Sequence, residues 1–187
     1  MQHSQQRWDL LAARLRAGYH AAAVELVDAF HQQIYLFFRR LGHNRQTSED
    51  LTQETFFRAW QHIGQLRNSA MLNSWLYRIA ANVSRLHWRA LRTDEIISLN
   101  AAEGFDVPDG SPASTEIAGN AEELGRLSHV IAELPIKLKQ AVVLHYMQHL
   151  TIAEATDAAG VRQGTFKSRL NRALKIIKKQ LSEKKQD

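Results

Sequence analysis

Residues 72–92, LNSWLYRIAANVSRLHWRALR, constrain this chain more than any other stretch. At about 100° per residue they form one helix with two unlike faces. Leu72, Trp75, Leu76, Ile79, Val83 and Leu86 recur at helical spacing and make a core-facing stripe. The opposite face carries Ser74, Tyr77, Arg78, Arg85, Trp88, Arg89 and Arg92, with Asn82 at the edge. A polar face is ordinarily a solvated face, and arginine is common on one. Tyrosine and tryptophan among arginines also fit a nucleic acid or a protein surface. Arginine neutralises phosphate, aromatic rings stack on unpaired bases, and asparagine hydrogen-bonds a base edge.

Length and charge bound the alternatives. At 187 residues the chain accommodates one domain or two small ones. Hydrophobic residues make up 44%, enough to build cores, and a formal charge of +5 suits an anionic partner without naming one. The absence of cysteine removes disulfides, thiolate metal sites and a cysteine nucleophile. The N-terminal residues lack the apolar core of a signal peptide, and no apolar run approaches transmembrane length. A soluble, cytoplasmic protein is expected.

Upstream of the central helix, Trp8, Leu11 and Leu15 mark a short amphipathic helix that closes near Gly18. Residues 21–41 form a second helix on Val24, Val27, Phe30, Ile34, Phe37, Phe38 and Leu41, closing at Gly42. A polar turn follows, with Thr47 or Ser48 as cap for a third helix over 49–63. Thr52, Phe56, Ala59 and Ile63 face inward on it, while Asp50, Gln53, Glu54, Phe57 and Gln61 face outward. Carboxylates near a helix N-terminus are favoured by its dipole, so solvation accounts for that face. Phe57 in its midst fits a covering partner equally well. Residues 64–71 are a loop.

From Thr93 the periodicity stops. Residues 96–123 hold two of the three prolines and three glycines, which marks 94–120 as a flexible linker between two small helical domains. The apolar piece 96–99 is a candidate for docking. The second domain, 121–187, begins with a helix on Leu124, Leu127, Val130, Ile131 and Leu134, ended by Pro135. The next helix, 136–149, is apolar round much of its circumference and is expected to be buried. A short helix over 151–159, Gly160 in a turn, and a long helix from Gln163 then give helix-turn-helix spacing. Phe166, Leu170, Leu174 and Ile177 hold the long helix to the core. Its start carries Arg162, Gln163, Thr165, Lys167, Ser168, Arg169, Asn171 and Arg172, the polar and basic types that meet base edges and phosphates. A helical hairpin with a basic tail is the plainer alternative. The fold class is therefore all-α: 1–93, linker 94–120, and a helix-turn-helix domain.

No catalytic residues emerge. The chain lacks a glycine-rich phosphate loop, a Gly-x-Ser-x-Gly elbow and a His-Glu-x-x-His motif. His145 and His149 share one helical face at i, i+4, but no carboxylate or cysteine is placed to complete a site, so they read as structural. No metal, cofactor or small-molecule substrate is expected.

Four stretches carry a resemblance: EDLTQETFFRAW (49–60), SWLYRIAANVSRLHWR (74–89), Leu134-Pro135, and GVRQGTFKSRLNRALKIIKK (160–179). Together, in this order and spacing, they resemble bacterial RNA polymerase sigma factors of the sigma-70 family, extracytoplasmic-function branch. The resemblance implies that Asp50, Gln53, Glu54 and Phe57 bind core RNA polymerase. It implies that Tyr77, Arg78, Asn82, Arg85, Trp88 and Arg89 read and open the −10 element of promoter DNA, with loop 64–71 helping to hold an unpaired base. The helix beginning at Gln163 would read the −35 element as duplex. An anti-sigma factor is the further partner implied.

The chain departs from the family pattern at four places. Ala155 stands where a large aliphatic is usual, Thr156 where a small residue is, Arg162 where proline is common, and Ile136 where a polar residue is expected. Two other readings remain at this stage: a stand-alone helix-turn-helix regulator with an N-terminal sensor domain, and an enzyme resting on His145 and His149 alone.

Overall fold

Helix ends in this chain are set by a few side chains. Asn44 caps one helix by accepting from the Thr47 N–H at 2.8 Å, and Thr151 caps another in a reciprocal box with Glu154. Gly42 (φ 100°) and Gly160 (φ 64°) close helices in the left-handed conformation that glycine adopts without strain.

The structure is a computed structural model that describes residues 2–97 and 118–183, and side chains over 7–91 and 124–182. Among the described residues it is all-α. Helices α1 (Gln2–Arg16), α2 (His20–Leu41), α3 (Arg45–His62) and α4 (Leu72–Ile97) form the first bundle. Helices α5 (Ala118–Glu133), α6 (Ile136–Val142), α7 (Ile152–Ala159) and α8 (Gln163–Glu183) form the second. The helical backbone continues through 93–97, because Thr-Asp-Glu-Ile-Ile contains no breaker, and the next described helix begins at Ala118. Most of the expected linker, 98–117, lies outside the described residues, as does any docking of 96–99.

The first core is built from Leu11 and Leu15 of α1, Leu26, Phe30, Ile34, Phe37 and Phe38 of α2, Phe56 and Ala59 of α3, and Leu72, Trp75, Leu76 and Val83 of α4. Val24 and Leu86, expected inward, are exposed; the buried seam of α2 runs through Ala22, Leu26 and Phe30 and leaves Val24 off it. Buried Thr52 and Thr55 satisfy their hydroxyls on the carbonyls of Ser48 and Leu51, at 2.6 and 2.7 Å. Loop 63–71 is two 3₁₀ turns tied to α1: Ser69 donates to Asp9, and Arg16 donates to the Leu66 carbonyl at 3.4 Å.

The second core gathers Val130, Ile131, Leu134, Val142, Leu144, Leu150, Phe166, Leu170 and Ile177. Local expectations change here too. Leu124, near the start of α5, is exposed. Ala173 takes the buried place expected of Leu174, which is 38% exposed, because the α8 seam steps from 166 to 170, 173 and 177. The helix after α6 widens into a π-turn over Val143–Met147 and stops, leaving His149 beyond its end at φ 55°. His145 and His149 therefore do not share a helical face, and the His145 ring contacts the Leu150 carbonyl at 2.8 Å. The two bundles pack on each other: α7 lies along α4, and the apolar cluster is continuous across both.

Candidate nucleic-acid and protein interfaces

On α3, Asp50 and Gln53 are exposed and Phe57 is 58% exposed, uncovered by either bundle. Glu54 is half-buried and accepts from Arg58 Nε at 2.6 Å. Residues 50, 53, 54 and 57 thus form one outward face, with a single fixed ion pair beside an apolar ring and a solvent-facing carboxylate.

Helix α4 differs from expectation. Its buried arc is far wider than one apolar stripe: Ser74, Tyr77, Ala81 and Ser84 are buried along with most of the predicted core positions. Tyr77, expected on the DNA-facing side, is only 1% exposed. Its ring meets Phe37 edge-on at 5.4 Å, and its hydroxyl donates to Gln148 Oε1 at 2.5 Å. Burial pushes that phenol well above its ordinary pKa, with nearby Arg40 opposing. The physical reason is that α4 is sandwiched between its own bundle and α7, whereas a helical wheel read for one apolar stripe assumes packing on one side.

What remains outward on α4 is a narrow basic stripe of Arg78, Arg85 and Arg89, all exposed. Asn82 at its edge accepts from Arg85 Nη2 at 2.5 Å, and Arg78 pairs with Asp157 at 3.5 Å. Trp88 is half-buried with its ring 4.9 Å from that of His43, and its indole N–H has no hydrogen-bond partner. The side chain of Arg92 lies outside the described residues.

His43 is a site residue that sequence reasoning missed. It is 3% exposed, at the corner between α2 and α3, and bonds Ser84 of α4 at 2.8 Å. Burial first, then electrostatic repulsion from nearby His87 and Lys139, pushes its pKa down from 6.5 to about 3. Lys139 of α6 was also missed. It is 5% exposed, and burial lowers its pKa. The helix around it was expected to be buried, but its apolar pattern does not single out this lysine as the charged group that goes inside.

Arg162 in the turn and Gln163, Thr165, Lys167, Ser168, Asn171 and Arg172 of α8 are all exposed, and Arg169 is half-buried. Phe166 and Leu170 anchor the helix from behind. The helix therefore presents donors, acceptors and cations on one side of its first turns, as major-groove readout requires.

A basic helix-turn-helix packed beside a second helical bundle with its own arginine stripe defines a DNA-binding protein of two all-α domains. Two family models match successive blocks of the chain: Sigma-70 region 2 over residues 26–93, and Sigma-70, region 4 over residues 124–177. The chain belongs to the sigma-70 family, in its extracytoplasmic-function branch. It is 28% identical over 181 residues to the ECF RNA polymerase sigma factor SigW of Bacillus subtilis, covering 90% of this chain and 93% of that one. It is 29% identical over 184 residues to the RNA polymerase sigma-H factor of Pseudomonas aeruginosa, covering 95% of each. Two solved structures share the fold. One is CnrH in complex with the cytosolic domain of CnrY (TM-score 0.67, 21% identity, 93% of this chain and 96% of that one). The other is the sigma factor RpoE in complex with the anti-sigma factor NepR from Bartonella quintana (TM-score 0.70, 21% identity, 84% and 95%). Among the described residues no helix is long and apolar enough to cross a membrane.

Proposed function

We infer that this protein is a sigma factor that binds core RNA polymerase, directs it to specific promoters and helps open the −10 element. The observation that carries the reading is the order of three surfaces along one chain. The acidic, Phe57-bearing face of α3 comes first, then the arginine stripe of α4, then the polar-basic start of α8. A sensor domain attached to a stand-alone regulator needs neither of the first two. The role is recognition rather than catalysis, and a cytoplasmic location fits it.

In this reading residues 1–93 form the polymerase and −10 domain, 94–120 the linker, and 121–187 the −35 domain. Asp50, Gln53, Glu54 and Phe57 dock on polymerase. Arg78, Arg85 and Arg89 attract the DNA backbone, Asn82 reads an unpaired base, and Trp88 gives up its contact with His43 if it stacks on one. Tyr77 contributes only if its contact with Gln148 of the second bundle is given up. Gln163, Thr165, Lys167, Ser168, Arg169, Asn171 and Arg172, with Arg162 in the turn, meet the −35 duplex. An anti-sigma factor is the regulatory partner. Pull-down of purified core polymerase by the full chain tests the reading: stable, stoichiometric capture supports it, and no capture refutes it.

A further inference from the structure

We propose that Asp9 and Arg16 of α1 are positioning residues for −10 recognition: they hold loop 63–71 in the shape in which it meets an unpaired base. The proposal deepens the sigma-factor reading and rests on it for the loop's partner. The hold of α1 on the loop is a matter of geometry alone.

Helix α1 is a stiff support. Leu11, Ala12 and Leu15 are buried, and the Trp8 ring lies 5.2 Å from that of Phe30 on α2. Arg14 and Arg7 both pair with Glu25 of α2, at 3.0 and 3.5 Å. From this support two side chains reach the loop. The Asp9 carboxylate accepts from the Ser69 hydroxyl. The Arg16 guanidinium donates through Nε to the Ala12 carbonyl of its own helix at 3.2 Å, and through Nη1 to the Leu66 carbonyl at 3.4 Å. The first of these bonds fixes the guanidinium, and the second ties the loop to it.

The loop's own hydrogen bonds are short in range. The Leu66 N–H donates to the Ile63 carbonyl and the Met71 N–H to the Asn68 carbonyl, both at 3.0 Å. The Ala70 N–H donates to Asn68 Oδ1, also at 3.0 Å. Such bonds close single turns and cannot orient one turn against the other. Buried Leu66 seats the first turn, and the bond from Ser69 to Asp9 seats the second. Arg67, Asn68, Ala70 and Met71 are left exposed. They offer a cation for phosphate, an amide for a base edge and an apolar surface for a base face. A loop already in its bound shape loses less conformational freedom when the base arrives.

The test has two arms, both on the full chain. In the first, amide hydrogen exchange compares the parent with Asp9→Ala and Arg16→Ala. Both side chains are exposed, so the fold is expected to survive, and unchanged exchange in α2 and α3 verifies it. Asp9→Ala should speed exchange at Ala70 and Met71, and Arg16→Ala at Leu66. In the second arm, holoenzyme assembled with core polymerase selects a strand from a random single-stranded oligonucleotide pool. Anisotropy then compares that strand with copies lacking one base at a time. The parent should lose roughly 5- to 150-fold in affinity where the captured base is missing. Asp9→Ala should shrink that loss about threefold. Asp9→Asn keeps an acceptor for Ser69 and should restore part of it. Removing a carboxylate beside a DNA strand strengthens attraction for phosphate at every sequence, so weaker discrimination in Asp9→Ala has no electrostatic origin. Unchanged exchange at Ala70 and Met71 overturns the proposal, as does faster exchange with unchanged discrimination, or Asp9→Asn as defective as Asp9→Ala. A parent that selects no strand overturns the sigma-factor reading and the role in base capture with it, while the exchange arm still decides whether α1 holds the loop.

Discussion

Acid should loosen the first bundle through one side chain. The folded protein holds His43 neutral, with a pKa of about 3, while the unfolded chain protonates it near 6.5. The unfolded state therefore binds the extra proton, so this contribution to stability is complete above about pH 6.5 and falls as pH drops toward 3. Each pH unit below 6.5 is worth ~1.4 kcal/mol, so the step from pH 6.5 to 5 removes roughly 2 kcal/mol. For a bundle of this size that lowers Tm by roughly 10 °C. The assay is urea unfolding followed by tryptophan fluorescence between about pH 7.5 and 5, a window that spans the unfolded-state titration. All four tryptophans, Trp8, Trp60, Trp75 and Trp88, lie in the first bundle, so the signal is local to it. His43→Gln keeps a donor for Ser84 but cannot titrate. It should be less stable than the parent at neutral pH and lose stability less steeply in acid. A variant that declines as steeply as the parent would refute the assignment of this pH dependence to His43.

Other outcomes follow from the proposed interfaces. Asp50→Lys should weaken competition for core polymerase more than Glu54→Lys, because Glu54 is already committed to Arg58. Equal affinities of both variants and parent would remove the face from the mechanism. Arg172→Ala should reduce the slope of log affinity against log salt for −35 duplex by about 0.9 if the contact is to phosphate. If it reads a base, specificity should relax at one position instead. Asn82→Ala should lower permanganate reactivity of −10 thymines more than it lowers duplex gel-shift affinity. Equal losses would move base capture to loop 63–71.

Much of this architecture was legible because breakers and caps punctuate it. Gly42, Gly160 and Pro135 end or start helices where their backbone preferences require, and Phe166 and Leu170 mark the inner seam of α8. The cap of α3 was less legible. Asn44, Thr47 and Ser48 are all good cap residues, and Ser48 is in fact buried inside the helix with its hydroxyl on the His43 carbonyl. The outward face of α3 could be read because no described residue covers it. The face of α4 could be read only in part, since Arg78, Arg85 and Arg89 are outward but Tyr77 is not. A second helix packed on α4 changes which residues count as its surface, and no single-helix periodicity contains that information. The π-turn that carries His149 off its helix, and the burial of Lys139, are likewise set by neighbours distant in sequence.

The central claim is that this chain confers promoter recognition on core RNA polymerase. Run-off transcription with purified core polymerase on genomic fragments tests it most directly. The account predicts discrete transcripts that require the chain, start downstream of a common pair of sequence elements, and fail with the Asp50→Lys variant. Transcripts identical with and without the chain, or none on any fragment, would contradict it.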